Sequence, residues 1–185
     1  MKLFIKYMVS MRCKMIVKAE LDKLRLHHLK VELGEVEVKE ITFDQRNQLK
    51  IALAKSGLEL MEDKRAILIE KIKNVIVEMV HYSDELPKFN FSDYLSEKLH
   101  HDYTYLANLF SEVTGTTIEH FIIAHKIERV KELLLYDELN LTEISYRMNY
   151  SSVAHLSHQF KKVTGLTPSF YRQLKNKKRI PLDKV

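Results

Sequence analysis

Little in these 185 residues interrupts a helix: there are 4 glycines and 3 prolines, too few for a sandwich or barrel built on many tight turns. Tryptophan is absent and there is a single cysteine, so no internal disulfide can form and the expected compartment is a reducing cytoplasm. No apolar run approaches the roughly 18 residues of a membrane span, and the start of the chain lacks a hydrophobic signal core, so a membrane is not an expected partner. Sequence signatures of catalysis are missing too. There is no Walker loop, GxSxG, GxGxxG or HExxH, and carboxylate pairs such as Glu35 and Glu37 or Asp137 and Glu138 fall on expected surfaces. Neither an enzyme nor a resident cofactor is expected.

What is present suits one mid-sized domain or two small ones, since 45% of the residues are hydrophobic. The net charge of +5 is unevenly spread. Residues 1–83 carry +4, residues 84–140 carry −6 and residues 141–185 carry +7, the last from 9 basic and 2 acidic side chains. The basic end is where a polyanion would be drawn.

The first third reads as strand, helix, strand, strand, helix, strand. Lys2 to Met8 alternates as an interior strand, and Cys13 to Leu24 has helical spacing at Met15, Ile16, Ala19, Leu21 and Leu24. Leu29 to Leu33 and Val36 to Ile41 form a hairpin split at Gly34 and Glu35. A helix capped at Thr42 or Asp44 carries Leu49, Ile51, Ala52, Leu53 and Ala54 and stops at Gly57, and Leu58 to Met61 supplies the last strand. This βαββαβ order predicts a ferredoxin-like α+β domain over residues 1–62. Residues 63–89 are expected as a linking helix and connector. The helix runs to about Ser83 along Ile67, Leu68, Lys71, Ile72, Val75, Ile76 and Met79, and the connector contains Pro87.

The remainder contains an internal repeat. At an offset of 50, Tyr105 to Thr117 lies on His155 to Thr167, and Leu, Phe, Val, Thr, Gly and Thr recur in register. Each copy predicts a helix that buries Leu and Phe four apart and ends at a glycine. A short helix precedes each, Ser92 to Leu99 and Thr142 to Met148, across the turns His100-His101-Asp102 and Asn149-Tyr150-Ser151. Asn149 tolerates positive φ, and Asp102, Ser151 or Ser152 can cap the helix that follows. Ile118 to Leu135 forms one long helix between the copies. The prediction is an all-α tandem helix-turn-helix domain over residues 90–178.

Thr142-Glu143-Ile144-Ser145, Asn149-Tyr150-Ser151-Ser152, Phe160-Lys161-Lys162, Val163-Thr164-Gly165-Leu166-Thr167-Pro168 and Tyr171-Arg172 together resemble the signature of the AraC/XylS transcription-regulator family. The resemblance extends over roughly residues 90 to 175, including Lys126-Ile127 and Arg129 of the linking helix. It departs from the family at Leu95 and Ser145, where Ala is preferred, at Asn149, where Gly is preferred, and in the acidity of the first repeat.

The resemblance implies a sequence-specific transcription regulator whose two second helices enter successive major grooves of double-stranded DNA. Regulation would proceed through contact with RNA polymerase. Tyr103, Thr104, Ala107 and Asn108 in the first unit and Val153, Ala154, His155, Ser157 and His158 in the second are then the expected base readers. Asn108 can pair with adenine, and the small side chains can meet thymine methyls. Ser151, Ser152, Lys161, Lys162 and Arg172, with Lys126 as an addition, are the expected phosphate contacts. The tail Lys175 to Arg179 adds a salt-sensitive term or is simply solvated.

Met8-Val9-Ser10-Met11-Arg12-Cys13 at the first strand–helix junction resembles the heavy-metal-associated domain of copper chaperones, with Ser10 standing where that family has its first thiol. The alternative function is thus a soft-metal sensor using Cys13, whose single thiolate makes a poor Cu(I) or Zn site unless a second chain donates its own Cys13. Otherwise the domain serves pairing into a homodimer or other protein contacts. His27 and His28 point apart on a strand, and His100 and His101 are surface or capping residues.

Overall fold

Strand alternation ends at Lys6 in the computed structural model, which describes residues 1–83, 90–136, 138–174 and 179–185. β1 covers Lys2–Lys6, and Tyr7 turns the chain with φ 65°. The extension of the strand to Met8 is therefore corrected: Tyr7 is exposed and Met8 drops into the core. α1 follows at Met11–Lys23, capped by Ser10, whose hydroxyl accepts the Cys13 amide. β2 (His28–Glu32), β3 (Glu35–Val38), α2 (Phe43–Lys55) and β4 (Glu59–Met61) complete an antiparallel sheet of order β2-β3-β1-β4. Thr42 rather than Asp44 caps α2, through a capping box with Gln45.

The faces of the two helices differ from the expected ones. α1 buries Val17 and Leu21 while Met15 is exposed, and α2 buries Leu49 and Leu53 while Ile51 is exposed. Both sequences offer more than one apolar stripe, and the sheet face carrying Leu3, Ile5, Val36 and Val38 selects the one that packs. Gly34 makes the hairpin turn at φ +76°, and a Cβ there would lie 1.9 Å from the Asn74 side chain, so the position demands glycine on two counts.

α3 (Lys64–Val77) starts on the Asp63 carboxylate, which accepts the Arg65 and Ala66 amides. It buries Ile69, Ile72 and Ile76, whereas Ile67, Leu68 and Val75 are only part-buried. The helix does not continue to Ser83 in α form but widens into a π-helical turn, Glu78–Tyr82. The chain divides within α3 into two compact units, Met1–Val75 and Ile76–Val185. The expected connector around Pro87, the carboxylate Asp137 and the tail residues Lys175 to Lys178 lie outside the described residues.

The second unit is all helical beyond the π turn: α4 (Phe91–Leu99), α5 (Tyr103–Thr114), α6 (Ile118–Tyr136), α7 (Leu141–Arg147), α8 (Val153–Thr164) and α9 (Pro168–Gln173), then a short 3-10 turn. α6 is the spine, touching the π turn, α5, α8 and α9. Leu95 and Ser145, the two departures from a small alanine, are both buried. On α6 the buried Glu128 pairs with Lys131 and accepts the Ile180 amide at 3.0 Å, while Glu132 holds Arg129 and Arg179. These contacts fix the returning carboxy-terminal segment to the spine.

Candidate nucleic-acid interface

The sequence repeat is a structural repeat down to single hydrogen bonds. α5 ends at Gly115 (φ 73°) and α8 at Gly165 (φ 78°), both left-handed C-caps. The preceding threonines fold back alike: Thr114 Oγ1 donates to the Phe110 carbonyl at 2.7 Å and Thr164 Oγ1 to the Phe160 carbonyl at 2.8 Å. Phe110 packs edge-on against Phe121 and Phe160 against Tyr171, both with ring centroids 5.5 Å apart. Leu106, Phe110, Leu156 and Phe160 are fully buried. Each turn before a second helix carries a non-glycine residue of positive φ, His100 at 56° and Asn149 at 51°. Asn149 meets the expectation; His100, expected only as a surface or capping residue, adopts the same left-handed conformation, which histidine enters more readily than most non-glycine residues.

The caps resolve the alternatives. Asp102 accepts the Thr104 and Tyr105 amides at 2.8 and 3.2 Å, and Ser152 accepts the His155 amide at 3.1 Å. Ser151 pairs instead with His155 Nδ1 at 3.0 Å, and the His155 ring stands edge-on to Tyr150. Burying the inner stripe leaves Thr104, Tyr105 and Asn108 exposed on α5, with Ala107 half-buried. The equivalent face of α8 exposes Ala154, His155 and His158, with Val153 and Ser157 half-buried. Tyr105, 49% exposed on the first turn of α5, was not among the expected readers, although it aligns with His155 in the repeat.

Three expected site residues sit less openly than their neighbours. Tyr103 is half-buried, and its hydroxyl donates to the Glu119 carboxylate at the start of α6. Burial first, and this bond second, raise the phenol's pKa, while the same bond keeps the Glu119 carboxyl below its usual range. Arg172 is half-buried and donates to the Leu139 carbonyl at 2.6 Å, so its guanidinium tethers α9 to the loop before α7. Lys126 is 8% exposed, with its ammonium 4.1 Å from the centroid of the Tyr150 ring, and burial pulls its pKa down to about 8. By contrast Lys161 and Lys162 are exposed on the last turn of α8.

Cys13 in the first unit lies 3.2 Å from Ser10 Oγ. Met8 is buried, Met11 and Met15 are exposed, and no cluster of three metal-ligating side chains occurs among the described residues. Nothing in this geometry favours the soft-metal alternative. Among the described residues no helix is long and apolar enough to cross a membrane.

Two capped second helices with matched exposed faces, carried on one linking helix, define a tandem helix-turn-helix module. Residues 95–174 match the family described as a helix-turn-helix domain. A solved structure, the C-terminal domain of AraT, a response regulator from Geobacillus stearothermophilus, superposes with a TM-score of 0.51 at 24% identity, over 64% of this chain and 92% of that one. The HTH-type transcriptional regulator YtdP of Bacillus subtilis is 26% identical over 160 residues, 81% of this chain and 20% of that protein. An HTH-type transcriptional regulator of Staphylococcus aureus is 30% identical over 93 residues, 50% of this chain and 12% of the relative. Residues 95–174 thus form a helix-turn-helix domain of the AraC type. The chain spans a fifth or less of the length of these two relatives.

Proposed function

We propose that the chain is a sequence-specific DNA-binding transcription regulator in which α5 and α8 dock in successive major grooves on one face of duplex DNA. The observation that carries this reading is the pair of equivalent, solvent-open helix faces held on the same spine. An exposed helix face of this size suits a major groove, where each base pair offers a distinct donor and acceptor pattern. His158 and Asn108 are the readers with the most discriminating chemistry. Ala107, Val153, Ala154 and Ser157 supply close contacts, and Thr104 and His155 sit at the leading turns. Lys161 and Lys162 supply the phosphate grip, with Ser151 at the helix start. Arg172 contributes by holding α9 and the loop before α7 in place, and Tyr103 by fixing the start of α5 to α6.

The amino-terminal unit we read as the ferredoxin-like βαββαβ arrangement, in keeping with its element order and sheet order. It is a module for protein contacts, including pairing of two copies, and transcription would be altered through contact with RNA polymerase in a cytoplasm. Selection of bound fragments from random duplexes, followed by gel shifts, tests the reading. A recovered site with two half-sites about one helical turn apart is expected. His158→Ala should then relax preference at one base position by about 1–3 kcal/mol, while Lys162→Ala should weaken all duplexes alike. Failure to enrich any sequence would refute base-specific recognition.

A further inference from the structure

Between the two helix-turn-helix units, within the second compact unit, lies a cleft of about 360 Å³, in the size range of small-molecule sites. Its walls come from both helix-turn-helix units and the spine: Phe91 at the start of α4, Ile122 and Ile123 on α6, and Tyr150 in the turn before α8. Lys126 is the one buried charged residue in its lining. The Lys126 ammonium has the Tyr150 ring as a neighbour and makes no ion pair or hydrogen bond among the described residues. Three other polar groups of the cleft are engaged. Glu119 accepts from Tyr103, Gln159 accepts from the Tyr150 hydroxyl at 2.7 Å, and His155 pairs with Ser151.

We propose that this cleft is a binding site for a small monocarboxylate with a short apolar body, its carboxylate paired with Lys126 and its body lying against Ile122, Ile123 and Phe91. A lysine more than nine-tenths buried whose ammonium has no anion carries a desolvation cost, and a carboxylate reaching it from the cleft would pair both charges in a low-dielectric place. The depressed proton affinity of Lys126, caused by burial, is the mark of that unmet charge. The second charge in the cleft limits the ligand's length. Glu119 lies two turns before Lys126 on the same face of α6, about 10 Å along the axis, and is exposed. A dicarboxylate spanning that distance would meet it, so a single acid group with an uncharged far end fits. A phosphate of the duplex backbone is the competing anion, but it cannot follow Lys126 into an apolar-walled cleft without bringing its sugar neighbours. Ligand binding itself does not depend on the DNA-reading proposal.

The test is calorimetric titration of the full chain, without DNA, with acetate, benzoate and 3-phenylpropionate, each against its neutral amide. At least one acid should bind about tenfold or more tightly than its amide. Lys126→Met should bring that ratio to about one, Lys126→Arg should retain it, and Ile123→Trp, which fills the cleft, should abolish binding of acid and amide alike. Thermal unfolding establishes that each variant is folded, and a Lys126→Met protein with an unchanged or raised melting temperature makes its loss of binding a loss of the site. The proposal is overturned if no acid outbinds its amide, or if the preference survives Lys126→Met. It is equally overturned if Lys126→Met lowers DNA affinity and flattens its salt dependence in acid-free buffer, since the ammonium would then serve the duplex backbone. Loss of DNA binding with acid binding intact would sink the DNA reading and leave the cleft standing.

Discussion

Fifty residues apart, α5 and α8 bury the same Leu and Phe, end on the same left-handed glycine and fold a threonine back onto the same carbonyl. Their outer faces have diverged. α5 carries Glu112 and no lysine or arginine, whereas α8 carries Lys161 and Lys162 and no acid, and Glu112 aligns with Lys162. A shared interior with opposite surface charge separates what makes a helix-turn-helix fold from what makes it grip a polyanion. The first depends on packing and caps; the second depends on a few side chains that the fold does not constrain.

The strongest way to break the comparison is through the shared interior. Phe110→Ala and Phe160→Ala each empty a fully buried site and should each cost about 3–5 kcal/mol by denaturant unfolding. Similar losses would bear out the equivalence of the two cores. A loss below 1 kcal/mol in one alone would show that its half can collapse around the gap and that the repeat is not energetic.

Acid should then separate the halves. His81 in the π turn and His125 on α6 meet at 3.2 Å, Nε2 to Nδ1, and the His125 ring packs on Phe121, which packs on Phe110. Burial is the first cause of depressed proton affinity in both rings, to about 3 for His81 and about 4 for His125. For His81 the positive charges of His125, Arg129 and Arg179 add to it. Because the folded values lie below the unfolded value near 6.5, the unfolded chain takes up protons first, and stability falls as pH drops from about 6.5 toward 4. We expect the second unit to lose about 2–4 kcal/mol between pH 7 and pH 4.5, with α5 deprotected before α8 in amide exchange. His125→Phe should flatten that pH dependence, and an unchanged profile would clear the pair of this role.

How much of this was legible beforehand follows the range of the forces involved. Caps, glycine stops and helical spacing are local, so α4 through α8 fall within a residue or two of their expected bounds, and Asn149 was readable as a positive-φ turn residue. His100 was not singled out: at the repeat's offset of 50 it lies on Tyr150 rather than on Asn149, so the repeat does not point to it, although histidine is among the non-glycine residues enriched at positive φ. The π turn at Glu78–Tyr82 has no residue signature, since it arises where the helix packs on α6. The exposure of Met15 and Ile51, the burial of Lys126 and the inward turn of Arg172 toward Leu139 all depend on distant partners. Alternating or helical spacing reports that a face is apolar; it does not report which neighbour arrives to cover it.

Charge is the next lever. Glu112→Lys would give the first reader the charge that Lys162 gives the second, and it should steepen the log–log salt dependence of duplex binding by about 0.9 and tighten binding at low salt. Lys162→Glu should do the reverse, with a loss of about 1–2 kcal/mol. If Glu112→Lys leaves both affinity and slope unchanged, the first unit stands away from the backbone and the two readers are not equivalent in the complex.

The smallest expected difference lies in the caps. Asp102 accepts two amides and carries a full negative charge at the start of α5, whereas Ser152 accepts one amide through a neutral hydroxyl at the start of α8. An anion at a helix start gains from the aligned peptide dipoles, so Asp102→Ala should cost more than Ser152→Ala, about 1.5 against about 1 kcal/mol. Only the first of these costs should shrink when salt is raised, because only it has a charge to screen. Denaturant unfolding of both variants at low and high salt therefore measures whether the first unit compensates at its helix start for what it lacks in cationic surface. Equal, salt-independent losses would show that the two caps act by hydrogen bonding alone.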